Sequence, residues 1–200
     1  MPLEVRDITF GYTKDKLIID GFDLDVLDTE RVGICAPSGR GKTTLCKIIA
    51  GYVKPLRGTV RFDGEDMLAR RGYSPVQMIW QHPEKSVNFR LKMGSVIAEG
   101  DSIDDRILDG LGIERDWFNR YPTELSGGEI QRFCIARALG QRTRFIIADE
   151  ISTMLDVITQ SQIWDFLLGE VERRKIGMIV VTHSDQLMDI IATRTVDIPE

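Results

Sequence analysis

The sequence has no apolar run approaching the roughly 18 to 20 residues that a membrane-crossing helix requires, so a helical span of its own is not expected. Cysteine is scarce, at 3 residues, Cys35, Cys46 and Cys134. The number is odd and no pair has the CxxC spacing, which argues against a disulfide framework or a thiolate metal site and makes a reducing compartment the default. Positive charge is not in excess either. The 26 Lys and Arg face 31 Asp and Glu, for a net charge of -5, without the basic footprint of a nucleic-acid-binding protein. The chain opens Met1-Pro2-Leu3-Glu4 with no basic-then-apolar leader, and it carries no repeat or low-complexity stretch. What remains is ordinary: 42% hydrophobic and 28% charged residues over 200 positions, the profile of a soluble globular domain with an insertion. A cytoplasmic protein is the first expectation.

The N-terminal third alternates in the strand period. Leu3, Val5, Ile8 and Phe10 precede Gly11; Ile18, Ile19, Phe22, Leu24 and Val26 follow it; Val60 and Phe62 lie beside Gly58 and Gly64. These read as short strands of an antiparallel sheet. From Arg31 the pattern changes. Val32–Ala36 is a buried strand, then comes a Gly-rich turn, then a helix from about Lys42 with Leu45, Ile48 and Ile49 on one face, stopping at Gly51. Val76–Trp80, Phe145–Ala148 and Met178–Val181 are apolar on both faces, as in a parallel sheet covered by helices. A helix from about Val157 to Lys175 precedes the last of these, its closing Arg173-Arg174-Lys175 suiting the negative end of the helix dipole. A final strand lies near Thr195–Ile198. Between His82 and Gln141 the strand signal vanishes. The expectation is an α/β nucleotide-type core interrupted by a mainly helical insertion.

Three motifs carry chemistry. Ala36-Pro37-Ser38-Gly39-Arg40-Gly41-Lys42-Thr43 fits GxxxxGK[ST] except that Ala stands at the first position. Small residues let the backbone wrap a phosphate, N–H groups from Gly39 to Thr44 point inward, and the helix N-terminus adds positive charge. Lys42 would reach the β- and γ-phosphates and Thr43 Oγ1 would ligate Mg²⁺. If position 36 needed a positive φ, Ala would cost on the order of 1 kcal/mol. Next, Asp149 and Glu150 end a buried strand, at the edge where an open parallel sheet binds ligands. Asp149 can hold Mg²⁺ through water, and Glu150, pointing the other way along the pleat, can polarise an attacking water. Third, Leu125-Ser126-Gly127-Gly128-Glu129 opens a helix with Ile130, Phe133, Cys134 and Ala138 on one face. Ser126 and Glu129 have capping-box spacing, which needs no function. Two glycines in a first helical turn, each costing up to ~1 kcal/mol relative to Ala, are not explained by a cap. Bare N–H groups beside a Ser hydroxyl suggest a second phosphate cradle, serving the ATP of another subunit.

LSGGE followed by Ile130-Gln131-Arg132, placed between a phosphate loop and the Asp-Glu strand, resembles the signature of the ATP-binding cassette (ABC) ATPases, and the likeness covers essentially the whole chain. It implies a P-loop NTPase (RecA-like) core with an N-terminal antiparallel β subdomain and an inserted helical subdomain. One domain would span 1–200, with 1–82 and 135–200 as core and 83–134 as the insertion ending in the signature. The resemblance also assigns Tyr12 to stack on adenine, Gln81 to the metal shell and to a link with a membrane partner, Asp156 to the loop after Asp-Glu, and His183 to the γ-phosphate. Each has a plain reading too: a strand-end aromatic, polar strand ends, and an N-cap at Asp156. Gln81–Arg90 looks like the QDPxxSLNPR stretch of dipeptide, oligopeptide and nickel importer ATPases, as do Tyr121-Pro122 and Leu155–Gln160. It departs from that pattern at His82, Phe89 and Ile151, and the sequence stops at Glu200 without the longer C-terminal extension many of these ATPases carry.

The implied protein is therefore an ATPase subunit of an importer, with ATP and Mg²⁺ as cofactors. Glu150, His183 and Gln81 are its catalytic set, and Tyr12, Ser38, Gly39, Arg40, Gly41, Lys42, Thr43 and Thr44 its ATP contacts. Thr43, Asp149 and Gln81 form the metal set. Ser126, Gly127, Gly128 and Glu129 would reach the ATP of a second ATPase subunit, in a homo- or heterodimer. Transmembrane permeases and an extracytoplasmic solute-binding protein are the other implied partners, nucleic acid is not one, and the location is the cytoplasmic face of the membrane. Two alternatives stay open: a soluble ABC ATPase without transport, and a weakly hydrolysing partner in a heterodimer, which Ala36 keeps alive.

Overall fold

Period-2 alternation sets the first layer. In the computed structural model, which describes residues 3–13, 16–153 and 155–199, β1 (Leu3–Phe10) pairs antiparallel with β2 (Ile19–Val26) and β4 (Arg57–Phe62). The short β5 (Glu65–Asp66) completes a four-stranded sheet in the order β2-β1-β4-β5. The inward residues of β1 change phase between Val5 and Ile8. The register shifts there, and Asp7 takes a φ of 51°. That bulge keeps Leu3, Val5, Ile8 and Phe10 all on the buried side.

The second layer is a five-stranded parallel sheet, β6-β7-β8-β3-β9, built from β3 (Arg31–Cys35), β6 (Val76–Ile79), β7 (Phe145–Asp149), β8 (Gly177–Val181) and β9 (Arg194–Asp197). Successive residues supply opposite faces. Phe145, Ile147, Ile179 and Val181 join the core shared with the antiparallel sheet and with α1 (Lys42–Ile49), which buries Leu45, Cys46, Ile48 and Ile49. Ile146, Ala148, Met178 and Val180 face a second core. Helices α2 (Met93–Ala98), α3 (Asp105–Gly110), α4 (Gly127–Ala138) and α5 (Val157–Arg174) close over it. With each full burial of a Leu or Ile contributing about 1.5–3 kcal/mol, both faces of the sheet are strongly covered. This is why the strands read as unbroken apolar runs.

Between β6 and β7 the described residues form helices and 3₁₀ turns, without a strand. Helix α4 runs through residue 134, because a helix begun at Ser126 meets its stop only at Leu139. One helix was not visible in the sequence pattern: α6 (Asp185–Ile191), capped by Ser184, whose hydroxyl accepts from the Leu187 N–H. The three basic residues closing α5 do not simply oppose its dipole. Lys175 is the left-handed C-cap (φ 55°), Arg173 pairs with Glu170 one turn back, and Arg174 turns to a different helix. Among the described residues no helix is long and apolar enough to cross a membrane.

Candidate functional site

The carboxyl ends of β3, β6, β7 and β8 lie at one edge of the sheet, since Ile79 is in register with Ala148 and Asp149 with Val181. The turns that follow must therefore meet. After β3 the chain loops through Gly39 (φ 80°) and Gly41 (φ 86°), both left-handed. A Cβ on Gly41 would also sit 2.4 Å from Ile18 Cγ2, so neither the backbone angle nor the space admits another residue. Ala36 has no positive φ, so the strain an alanine there could have brought does not arise. No side chain caps α1, which leaves the N–H groups of its first turn to an external acceptor. The Arg40 N–H is an exception within the loop, donating to the Pro37 carbonyl at 3.3 Å.

A cavity of about 290 Å³ opens above this loop, lined by Tyr12, Ser38, Gly39, Gly41, Lys42, Thr43, Thr44, Glu150 and His183. Ile18 lines it as well; its place in an apolar strand pattern gave no sign of that. The Arg40 side chain is not among the lining groups. Lys42 is buried, and its ammonium donates to the Ala36 carbonyl at 2.6 Å and to the Pro37 carbonyl at 3.3 Å. Tyr12 is exposed at the rim.

The paired carboxylates part by a different route from the one expected. Glu150 does not alternate with Asp149 along the pleat. It follows the end of β7 with a φ of 51°, a conformation that costs a non-glycine residue on the order of 1–3 kcal/mol and gathers at functional sites. Its N–H donates to the Val181 carbonyl, and its own carbonyl accepts from Thr153 Oγ1. So turned, its carboxylate takes Gln81 Nε2 on Oε2 at 2.7 Å and His183 Nε2 on Oε1 at 2.8 Å. Two residues, each from its own sheet turn, thus converge on the carboxylate of a third. Asp149 stays inside, with the Thr43 hydroxyl beside its carboxyl group. Burial raises its pKa above the ordinary value, outweighing the lowering effect of the Thr43 hydroxyl.

The Ser-Gly-Gly segment lies elsewhere. Ser126, Gly127, Gly128 and Glu129 line a separate cavity of about 750 Å³ with Trp117, Arg132 and Asp156, sharing no residue with the first. The capping box is formed: Glu129 Oε2 accepts from the Ser126 N–H at 2.6 Å, and the Ser126 hydroxyl accepts from the Glu129 N–H at 3.3 Å. Asp156 is an N-cap too, accepting from the N–H groups of Ile158 and Thr159. Met154, between Thr153 and Leu155, lies outside the described residues. The cap leaves the glycines unaccounted for. A Cβ on Gly127 would meet no atom of the described residues within 4 Å, so nothing among them requires glycine there.

The model of the family described as ABC transporter matches residues 19–153. The chain belongs to that family. It is an ATP-binding ATPase domain of the ABC type, with the α/β fold that membership implies. The oligopeptide transport ATP-binding protein OppF of Streptococcus mutans is 31% identical over 96% of this chain and 70% of its own length. The nickel import system ATP-binding protein NikE of Staphylococcus aureus is 27% identical over 97% of this chain and 85% of its own. The chain spans between 62% and 70% of the length of the peptide-transport relatives it matches. Among solved structures, the ATP-binding cassette MJ0796, as a dimer in a post-hydrolysis state bound to ADP and Pi, superposes with a TM-score of 0.83. That match covers 98% of this chain and 94% of that one at 24% identity, a likeness of fold.

The ABC site has the donors a magnesium ion would need. Asp149 Oδ1 is buried without a hydrogen-bond partner, and the Thr43 hydroxyl lies against the same carboxyl group. No group of three or more His, Cys, Asp or Glu is placed to hold a metal ion among the described residues. A hard divalent ion here would thus complete its shell with phosphate oxygens and water, as Mg²⁺ at phosphate sites does. On the flank of β6 a groove of about 610 Å³ runs past Tyr52, Tyr73, Trp80, Ser86, Arg137 and Arg142. It abuts Gln81 through Trp80.

Proposed function

We propose that this chain binds Mg-ATP in the cavity above the phosphate loop and hydrolyses it to drive a membrane importer of peptides, nickel or a similar small solute. The observation that carries the reading is the convergence of Gln81 and His183 on Glu150, at 2.7 and 2.8 Å, beside Lys42 and Thr43. Lys42 would leave the Ala36 and Pro37 carbonyls for the β- and γ-phosphates, exchanging neutral acceptors for charged ones. The loop amides and the start of α1 hold the remaining phosphate oxygens, and Tyr12 stacks on adenine. Thr43, Asp149 and Gln81 would hold Mg²⁺, which supplies charge neutralisation on the phosphates. Glu150 orients the attacking water and accepts its proton, and His183 holds the γ-phosphate.

The Ser126–Glu129 face completes the site of a second ATPase subunit, of the same or another chain, and the Asp156 turn lies at that junction. Closure of the two subunits is the mechanical step, and hydrolysis reopens them. The chain acts as one ABC ATPase domain over 1–200, with 83–134 as its helical insertion. The groove past Trp80 and Arg137 receives a cytoplasmic segment of a permease, so that Gln81 senses both permease and nucleotide. Attachment to the cytoplasmic face of the membrane runs through permeases that an extracytoplasmic solute-binding protein supplies. The names of the relatives, peptide-transport and nickel-import proteins, support the cargo class.

Glu150→Gln tests the reading. The variant keeps the side-chain shape and ATP binding but loses the base, so turnover falls about 10²- to 10⁴-fold while ATP-bound dimers accumulate. Undiminished ATPase activity with Mg²⁺ would reassign the base, and loss of ATP binding would mean that Glu150 shapes the pocket instead.

A further inference from the structure

Gln131 follows the Ser-Gly-Gly turn within α4 and lines neither the Lys42 cavity nor the Ser126 cavity. It is fully buried, its Nε2 donates to the Trp80 carbonyl at 3.5 Å, and its Oε1 has no partner among the described residues. Nearly one turn further along the helix, Cys134 Sγ meets the Ser86 hydroxyl at 3.2 Å. That hydroxyl donates to the Pro83 carbonyl at 2.9 Å, so the thiol is the donor to it. A further step on, Arg137 Nη2 donates to the Ser86 carbonyl at 2.7 Å. Residues 131, 134 and 137 stand three apart, on one side of α4. Their partners bracket Gln81: Trp80 precedes it, and Ser86 ends the 3₁₀ turn Pro83–Lys85 that follows it. Strand β6 ends at Ile79, and the backbone bonds beyond it, Lys85 to His82 and Ser86 to Pro83, are internal to that turn. The segment carrying Gln81 is therefore held to the rest of the chain at both ends by side chains of the signature helix.

We propose that Gln131 is a positioning residue for ATP hydrolysis: with Cys134 and Arg137 it fixes the segment on both sides of Gln81, and so sets how Gln81 reaches the Glu150 carboxylate. The proposal rests on the reading of Gln81 and Glu150 as parts of the ATP site. A buried amide with one oxygen unmatched lowers stability, because the desolvation of that oxygen is not offset by a bond. An apolar side chain of the same length would suit the fold as well or better. The amide is retained for the carbonyl it holds. Gln81 delivers one long side chain to Glu150 at 2.7 Å, and a misplacement of about 1 Å can cost on the order of 10²-fold in rate. Ser126 caps the same helix, so a single element references both the Gln81 segment and the turn that faces a second subunit's ATP.

Steady-state Mg-ATP hydrolysis and thermal unfolding of the whole chain test this together. Gln131→Met keeps the length of the side chain and removes both polar atoms. Its kcat is expected to fall about three- to tenfold, the range for one lost hydrogen bond, with KM for Mg-ATP unchanged and an unfolding temperature no lower than that of the wild type. Arg137→Met should lower kcat at least as much, and Arg137→Lys, which still reaches a single carbonyl, should recover most of it. Combined with Gln81→Ala, neither Gln131→Met nor Arg137→Met should reduce turnover further, because both act through that side chain. A Gln131→Met chain that loses stability and turnover together would overturn the proposal, as would a raised KM, an unchanged kcat, or losses that add to that of Gln81→Ala. Full turnover in Gln81→Ala alone would overturn the reading of Gln81, and the proposal with it; a slow Gln81→Ala beside a fully active Gln131→Met would overturn the proposal alone.

Discussion

Asp149 carries a cost that its neighbours offset only in part. It is buried, one carboxylate oxygen lacks a partner, and burial holds its pKa above the 3.8 of an unfolded chain. The native state therefore keeps its proton to higher pH than the unfolded state does. Stability falls as pH rises from the unfolded value through the folded one, and the loss persists at neutral pH. Asp149→Asn removes the charge while retaining an acceptor for Thr43. It should unfold at a higher temperature than the wild type at pH 7, with the gain shrinking as the pH is lowered toward 4. A gain that stays constant with pH would show that the carboxylate is not the source. The same acid was legible in the sequence as the end of a buried strand. The posture of Glu150 was not, because alternation along a strand says nothing about a residue just past its end, where a left-handed φ decides the direction. Of the remaining site residues, Lys42, Thr43 and the loop glycines were readable from spacing alone. Tyr12, Gln81 and His183 needed the family likeness, since a single polar or aromatic residue at a strand end has no pattern of its own.

The exit from α4 is held by a residue of another helix. Arg174, near the end of α5, donates to the carbonyls of Leu139 (2.7 Å), Gly140 (2.8 Å), Gln141 (3.3 Å) and Thr143 (3.0 Å), which form the exit from α4. The carbonyl of the α4 C-cap, Leu139, and three carbonyls of the loop after it are thereby taken up by one planar fork. Composition could place three basic residues at the end of α5, but only the packing of α5 beside the α4 exit turns one of them outward to a neighbour. Arg174→Met should strand several partly buried acceptors at a cost of about 2–4 kcal/mol, read as a lower urea midpoint with little change in slope. Arg174→Lys should recover only part of it, because an ammonium cannot span the carbonyls as a fork does. Helix α6 escaped notice for a related reason: its seven residues are too few for a periodic signal, and its Ser184 cap was the only available mark. The long, buried elements β7, β8, α4 and α5 were all plain in the sequence, because their apolar positions repeat for long enough to fix both type and face.

At the scale of the molecule, one chain presents two cavities that share no residue, one around Lys42 and Glu150 and the other around Ser126. A glycine that a tight turn or a close neighbour required would be explained within the chain. Gly127 has neither excuse: its φ is not positive and a Cβ would enter open space. In isolation the chain should prefer another residue. An acid at the first position of a helix gains about 0.3–1 kcal/mol from the dipole, and any replacement removes the extra backbone freedom of glycine from the unfolded state. Gly127→Asp is therefore expected to leave the isolated chain at least as stable as the wild type, with ATP binding to the single chain unchanged. The loss should fall on a step that needs two chains. A carboxylate in the first turn of α4 would face the γ-phosphate of a partner's ATP, where repulsion in a dry interface is several kcal/mol. ATP-dependent dimers, measured by light scattering in the Glu150→Gln background, should disappear, and turnover should fall with them. A destabilised Gly127→Asp chain would mean that the glycine serves the fold, and a stable variant with full dimerisation would remove the Ser-Gly-Gly turn from the interface.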